Sequence, residues 1–186
     1  MIKLMGIHAS DRHTVMSRTR GFTLIELLIV MVILSILAVI VTGTFASSTR
    51  RGRDTRRKND LRAVASALEG YYNDKGYYPT SVNGVMHGCS TNDSLDCSWG
   101  GKFDDKNGTL YMVLIPKDPI ETQKYYYAVA SYRGGLPDSY RLYAHLENTL
   151  DAGDGVLQNG YAGTNCGASG TLLCTYAISS SNTTVQ

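Results

Sequence analysis

The chain has 186 residues, and 18 Lys and Arg against 16 Asp and Glu give it a net charge of +2. After a basic N-terminal segment and an apolar stretch, about 140 residues remain, which is enough for one small domain and too few for a second core. The chain has four histidines and no Gly-x-Ser-x-Gly, phosphate-binding-loop or zinc-protease motif, so no class of enzyme is indicated.

The first 21 residues form a basic leader. They carry Lys3, Arg12, Arg18 and Arg20 against Asp11, a net charge of +3 that leaves −1 for the remainder of the chain. By the positive-inside rule, the leader lies in the cytoplasm and everything after the apolar stretch lies outside.

Glu26 is the one charged residue in the apolar stretch that follows Gly21 and continues to Val41. About 20 apolar residues span a bilayer, and a charge within it costs at least roughly 2.5 to 3.5 kcal/mol. If a peptidase cuts after Gly21, the new amine of Phe22 lies one helical turn from Glu26, or faces the Glu26 of a neighbouring copy. Either pairing would compensate both buried charges.

Two simpler interpretations of this segment are available. A cleaved secretory signal would place its cut after the apolar stretch, where the residues 42–48 loosely fit. A plain signal anchor explains the length of the segment, but it does not explain Glu26.

Residues 18–41 contain basic residues, Gly21, an aromatic start, the string Phe-Thr-Leu-Ile-Glu and an apolar helix, in that order. This arrangement resembles the class III signal of type IV pilins and type II secretion pseudopilins. The resemblance implies cleavage by a prepilin peptidase between Gly21 and Phe22, methylation of the new N-terminus and a role for Glu26 in filament assembly. It also implies single-pass storage in the lipid of the cytoplasmic membrane, then addition to identical or homologous subunits at an inner-membrane assembly platform.

A single long helix is predicted from about Phe22 to about Asn73, because apolar residues recur at helical spacing between Leu61 and Tyr72. Its first part, residues 22–46, is the membrane or filament-core half, and residues 47–73 form the amphipathic half. Residues 1–21 are the cleaved leader and residues 74–186 the globular head.

The segment from Arg50 to Arg62 carries seven basic and two acidic residues, whereas the chain from Ser66 onward has a net charge of −5. We expect the basic segment of one subunit to face the acidic head of another, with lipid headgroups or solvent as alternatives. Nucleic acid is not favoured as a partner, since no aromatic residue lies between the arginines to stack on bases. If the apolar stretch were a simple membrane anchor, the positive charge of this segment would hold the following domain in the cytoplasm, opposite to the assigned topology.

The head is predicted to contain a small antiparallel sheet. Residues 125–130 and 139–147 read as two strands of a hairpin, with a turn at Gly134 to Asp138, and residues 172–178 as a third strand. The polar stretch from Thr80 to Asn107 is predicted to be a loop. The fold class is therefore α+β, a long N-terminal helix packed on a small sheet.

Four cysteines lie in the predicted head, and both Cys89 with Cys97 and Cys166 with Cys174 are eight residues apart. An even number of cysteines in an exported domain indicates disulfides, and local pairing is preferred among the three connectivities. A four-cysteine zinc site is the alternative, although neither pair has the short spacing that such sites prefer.

Asp151 and Asp154 lie in a loop with Gly153 and Gly155. Because the resembling major pseudopilins bind calcium in a loop after the hairpin, these two residues are candidate calcium ligands, with a solvated turn as the alternative. The segment from Leu114 to Pro119 is similar to a turn of the same proteins, but Ile115 is inserted and no Trp-Gly follows.

These features predict a structural subunit of a pilus-like surface filament rather than an enzyme. The major pseudopilin of a type II secretion system, in a periplasmic pseudopilus, is the first alternative. A membrane-tethered binding domain that never polymerises is the second.

Overall fold

The computed structural model describes residues 21–88 and 96–184, and the side chains at all of these positions except 40–44. The predicted leader and Cys89 lie outside the described residues. The chain divides into two compact units, Met1–Gly43 and Thr44–Gln186.

The long predicted helix is present as α1, which runs from Leu24 to Lys75. The helix stops before Gly76, whose φ of 78° is left-handed and whose N–H donates to the carbonyl of Tyr72 at 2.7 Å. Glycine takes this conformation without the steric cost that a Cβ would bring, so it is a common helix stop. Within the described residues, no helix is long and apolar enough to cross a membrane. The membrane half of α1 therefore stays a prediction.

Two predicted strands form the hairpin of the main sheet, and a third strand completes it. Strands β6 (Tyr126–Arg133), β7 (Leu136–Ala144) and β8 (Tyr176–Ser179) pair antiparallel in that order. The turn between β6 and β7 is shorter than predicted and consists of Gly134 and Gly135, with φ of 61° and 86°. Two successive positive φ values match the twist of a tight hairpin, which explains the glycine pair.

The polar stretch from Thr80 to Asn107 is not a single loop, and that prediction was wrong. Strands β1 (Thr80–Val82), β2 (Val85–His87) and β3 (Asp96–Cys97) form one small antiparallel sheet, and β4 (Phe103–Asp104) pairs with β5 (Leu110–Met112). Asn83 and Gly84 make the turn between β1 and β2, with φ of 52° and 80°. Asn-Gly is the preferred pair for such a turn, so a local signal outweighed the polar composition.

The main core lies between the second part of α1 and the strands of the head. Helix residues at a spacing of three and four are buried against buried tyrosines of the hairpin, and the central members of this core are Leu61, Val64, Leu68, Tyr71, Tyr127, Tyr140 and Leu142. This packing confirms the α+β class and the amphipathic character of the second part of α1.

A second, smaller core surrounds the disulfide between Cys166 and Cys174, the local pairing that the spacing favours. Both cysteines are fully buried and pack with Tyr143, Tyr161 and Ala177. Cys97 is also disulfide-bonded. The predicted partner of Cys97, Cys89, lies outside the described residues.

Candidate functional site

The start of α1 carries the residues for which processing and assembly are predicted. Gly21, Phe22 and Thr23 precede the helix, and the Phe22 side chain is 85% exposed. A Cβ added to Gly21 would meet no described atom within 4 Å. Nothing in the described part of this chain therefore requires glycine at position 21.

Glu26 is held by Thr23 in a reciprocal cap of the helix. The N–H and hydroxyl of Thr23 donate to Glu26 Oε2 at 2.9 and 2.8 Å, and the N–H of Glu26 donates to Thr23 Oγ1 at 3.3 Å. With Thr23 as N-cap and Glu26 at the third helical position, the two residues form a capping box. The carboxylate is thus hydrogen-bonded within its own chain. The sequence analysis missed this role, although the pattern Thr-x-x-Glu before an apolar run is its signature.

The helix that follows exposes an apolar surface in the unit Met1–Gly43. Large apolar side chains between positions 24 and 39 are about half exposed or more, among them Leu24, Ile25, Leu28, Met31, Leu34 and Val39. Contiguous apolar exposure on this scale marks a surface that contacts a partner or a lipid phase.

The basic segment of α1 contacts carboxylates of its own head. The buried guanidinium of Arg57 donates to both oxygens of Asp118, at 2.8 and 2.9 Å, and to Glu147 Oε1 at 2.7 Å. It also pairs with Asp54 at 2.7 Å and donates to the Gln123 side chain at 3.1 Å. One arginine thus joins α1 to two separate segments of the head.

Two neighbouring basic residues extend this contact. Arg53 makes two hydrogen bonds with Glu147, at 2.7 and 2.5 Å, and the Lys58 ammonium lies 2.6 Å from Asp151 Oδ2. A looser pair joins Arg56 to Asp60 at 3.7 Å, so four of the seven basic side chains expected to face another subunit are ion-paired within this one. Arg50, Arg51, Arg56 and Arg62 are exposed.

The ionisation of this cluster follows from its geometry. Burial by itself would lower the pKa of Arg57, but hydrogen bonds with Asp118 and Glu147 raise that pKa above its ordinary value. Hydrogen bonds from Arg53, followed by those from Arg57, lower the pKa of Glu147 from 4.5 to about 2. Arg57 and Glu147 are therefore both charged at neutral pH.

Asp54 connects the same cluster to the backbone after β7. Its carboxylate accepts the N–H groups of Glu147 and Asn148, at 3.0 and 2.8 Å. Further along α1, Asp60 accepts the hydroxyl of Tyr125 at 2.7 Å, and Glu69 accepts those of Tyr78 and Tyr140. A row of acceptors on the helix thus holds buried tyrosine hydroxyls of the head.

The two candidate calcium ligands differ in their surroundings. Asp151 is half-buried beside Lys58, whereas Asp154 is exposed. The described residues contain no group of three or more His, Cys, Asp or Glu side chains that could hold a metal ion. Asp151 is therefore engaged in an internal ion pair, and among the described residues Asp154 has no group of further ligands beside it.

Residues 16–42 match the family described as "Prokaryotic N-terminal methylation motif". "Type II secretion system core protein G" of Pseudomonas aeruginosa is 42% identical over 65 residues, which are 35% of this chain and 46% of that protein. The protein of the same name from Klebsiella pneumoniae is 37% identical over 71 residues, 38% of this chain and 51% of the relative. "Type IV major pilin protein PilA" of Myxococcus xanthus is 37% identical over 68 residues, 37% of this chain and 31% of the relative.

The chain thus spans about half the length of the two secretion relatives and about a third of the pilin. No solved structure matches it. The methylation motif and these relatives support the pilin and pseudopilin family for this chain, and both branches of that family are compatible with them.

Proposed function

We propose that the chain is a structural subunit of a type IV pilus-like filament, stored as a single-pass protein in the cytoplasmic membrane. Prepilin peptidase cuts it between Gly21 and Phe22, and the new N-terminus is methylated. The observation that carries this proposal is the methylation motif at residues 16–42, which contains both the cut site and Glu26. A Cβ at Gly21 would meet no described atom within 4 Å, which supports the proposal because a preference for glycine there would then come from the enzyme that recognises the site.

The exposed apolar surface of α1 has to be covered both before and after assembly. In the membrane this surface contacts lipid, and in the filament it packs against the same surface of identical or homologous subunits. Apolar burial contributes about 25 cal/mol for each Å² removed from water, so helices that leave the lipid must cover one another. The inner-membrane assembly platform performs that transfer.

Glu26 specifies how neighbouring helices are aligned. Within the described residues, the Glu26 carboxylate accepts hydrogen bonds from Thr23, whose two donors are neutral. Cleavage creates the Phe22 amine, which adds a positive charge that can pair with the Glu26 carboxylate of an adjacent copy, and opposite charges attract strongly in an apolar filament core. The pairing is available only to a processed subunit, so it couples cleavage to assembly.

The proposal assigns no catalytic role to the chain and does not include nucleic acid as a partner. Its biochemical partners are prepilin peptidase, the assembly platform, other subunits and membrane lipid.

Substitution of Glu26 tests the proposal. Glu26→Gln keeps a side-chain oxygen that accepts from Thr23 but removes the charge, and Glu26→Lys reverses the charge. We expect both variants to insert and to be cleaved normally, while filaments in sheared surface material, counted by negative-stain microscopy, fall at least about tenfold, a loss of roughly 1.4 kcal/mol in pairing. Filaments of Glu26→Gln at the wild-type level would contradict the proposal.

The major pseudopilin of a type II secretion system is the second candidate. It is favoured by the similarity to two proteins named as secretion core protein G, one of them 42% identical over the matched residues. Both candidates share the Glu26 requirement, so deletion of the chain must separate them. Loss of surface filaments with unchanged export of enzymes favours the pilus, and the reverse result favours the pseudopilus. A tethered binding domain that never polymerises would be unaffected by Glu26→Gln.

A further inference from the structure

The loop after β7 is organised around Asp151. Asp151 Oδ1 accepts the N–H of Gly153 at 3.1 Å, and the N–H of Asp151 donates to the carbonyl of Asn148 at 3.2 Å. The side-chain amide of Gln158 donates to the carbonyl oxygen of Asp151. The backbone and the side chain of this one residue thus connect both ends of the loop.

The second carboxylate oxygen of Asp151 is bound to a cation that belongs to the protein. The Lys58 ammonium lies 2.6 Å from Asp151 Oδ2 and 5.3 Å from the centroid of the Tyr176 ring. Only about a fifth of either charged side chain is exposed, 21% for Lys58 and 20% for Asp151. Aromatic faces attract ammonium groups at this distance, so Lys58 is held by two independent contacts.

The position of Lys58 is determined by the helix and not by the loop. On the same helix, Asp54 accepts the N–H of Asn148 and Arg57 donates to the carboxylate of Glu147. Both partners lie just before the loop. These contacts hold the loop against α1 and bring Asp151 to the ammonium. The ammonium is therefore present at the loop whenever the head is folded.

A calcium site does not fit this arrangement. Calcium takes six to eight oxygen ligands and generally needs more than one carboxylate. Here one candidate carboxylate is bound to Lys58, the other, Asp154, is exposed, and the described residues contain no cluster of three acidic, His or Cys side chains. A calcium ion and the ammonium would also compete for the same oxygen.

We propose that Lys58 is the built-in cation of this loop and that the head folds and keeps the loop ordered without calcium. Lys58 supplies the positive charge at the candidate calcium ligand Asp151, and it does so at every calcium concentration. This inference is independent of whether the chain forms a filament.

The test uses the full chain in detergent micelles, with the fluorescence of Trp99 as the readout. Trp99 is the single tryptophan and packs edge-to-face on buried Tyr125, so it reports unfolding of the head. We expect the same melting midpoint for the wild type in excess EDTA and in millimolar calcium chloride, and no saturable binding in calorimetric titration. A rise in the wild-type midpoint with calcium, or saturable binding, would overturn the proposal.

Two variants make the test specific. Lys58→Met removes the ammonium but keeps an unbranched side chain, and we expect it to lower the midpoint in EDTA by about 3 to 5 °C. It should also increase hydrogen exchange at the Gly153 amide, which Asp151 Oδ1 protects. Asp154→Asn is the control and should change neither quantity. Equal behaviour of the two variants would show that Lys58 does not hold the loop.

Discussion

Arg57→Met is the substitution that tests most severely how α1 is attached to the head. Arg57 is completely buried and binds three carboxylates, those of Asp54, Asp118 and Glu147. Removal of one member of a buried ionic group leaves uncompensated charge and costs about 3 to 5 kcal/mol, because the remaining charges cannot be rehydrated. A head of about 140 residues has a total stability of roughly 7 to 20 kcal/mol. The variant would therefore lose a large fraction of the stability of the head.

The expected loss is measured by urea unfolding of the full chain in micelles, followed by Trp99 fluorescence. Arg56→Met is the matched control, because Arg56 lies next to Arg57, is 62% exposed at its side chain and approaches Asp60 only to 3.7 Å. An exposed pair of this kind contributes at most about 1 kcal/mol. Arg57→Lys should be intermediate, since an ammonium cannot bind both oxygens of Asp118 as a guanidinium does.

The comparison of Arg57→Met with Arg56→Met decides the outcome. If Arg57→Met costs no more than Arg56→Met, the cluster does not hold the helix and the reasoning fails.

Three further predictions concern single residues. Glu147 has a folded pKa of about 2 against an ordinary 4.5, so its contribution to stability is full above about pH 4.5 and is lost as the pH falls through about 2. In Glu147→Gln, the free energy of unfolding measured in urea should depend less on pH in that range. An unchanged dependence on pH would count against the assigned pairing. Asn83→Ala should lower the free energy of unfolding by about 1 kcal/mol in the same assay, because Asn83 has a φ of 52°, whereas Asn83→Gly should leave it unchanged. Equal losses in the two variants would exclude backbone strain as the cause. Thr23→Val should speed amide exchange in the first turn of α1, at a cost of about 1 kcal/mol, whereas Thr23→Ser should not; identical exchange in both variants would contradict the capping box.

Local sequence patterns predicted α1 and the hairpin well. An apolar run followed by apolar residues at helical spacing is a long-range periodic signal, and the end of α1 at Lys75 differs from the predicted end by two residues. The error at Thr80 to Asn107 came from weighting polar composition above the Asn83-Gly84 turn signal. Both outcomes rest on patterns within one continuous stretch of the sequence.

The contacts of the basic segment could not be predicted in this way. Arg56 and Arg57 are adjacent and chemically identical, yet one is exposed and the other has no exposed surface. Which of them is buried depends on the face of α1 that packs on the head. The partners Asp118, Glu147 and Asp151 lie 61 to 93 residues away in sequence, so no local pattern joins them to the helix.

Glu26 lies between these two cases. Its position as the one charge in an apolar run is visible in the sequence, and its cap with Thr23 could have been predicted from the same four residues. The pairing of Glu26 with the amine of a neighbouring Phe22 involves a second chain and a group that cleavage creates. That pairing remains a prediction of the proposed function.

The N-terminal peptide of subunits taken from purified filaments tests the proposed function most directly. Filaments are sheared from the cells, separated from membranes and digested, and the N-terminal peptide is identified by mass spectrometry. The account predicts a peptide that begins at Phe22 and carries one methyl group on its amine. A filament subunit that still begins at Met1, or filaments that persist without this chain, would contradict it.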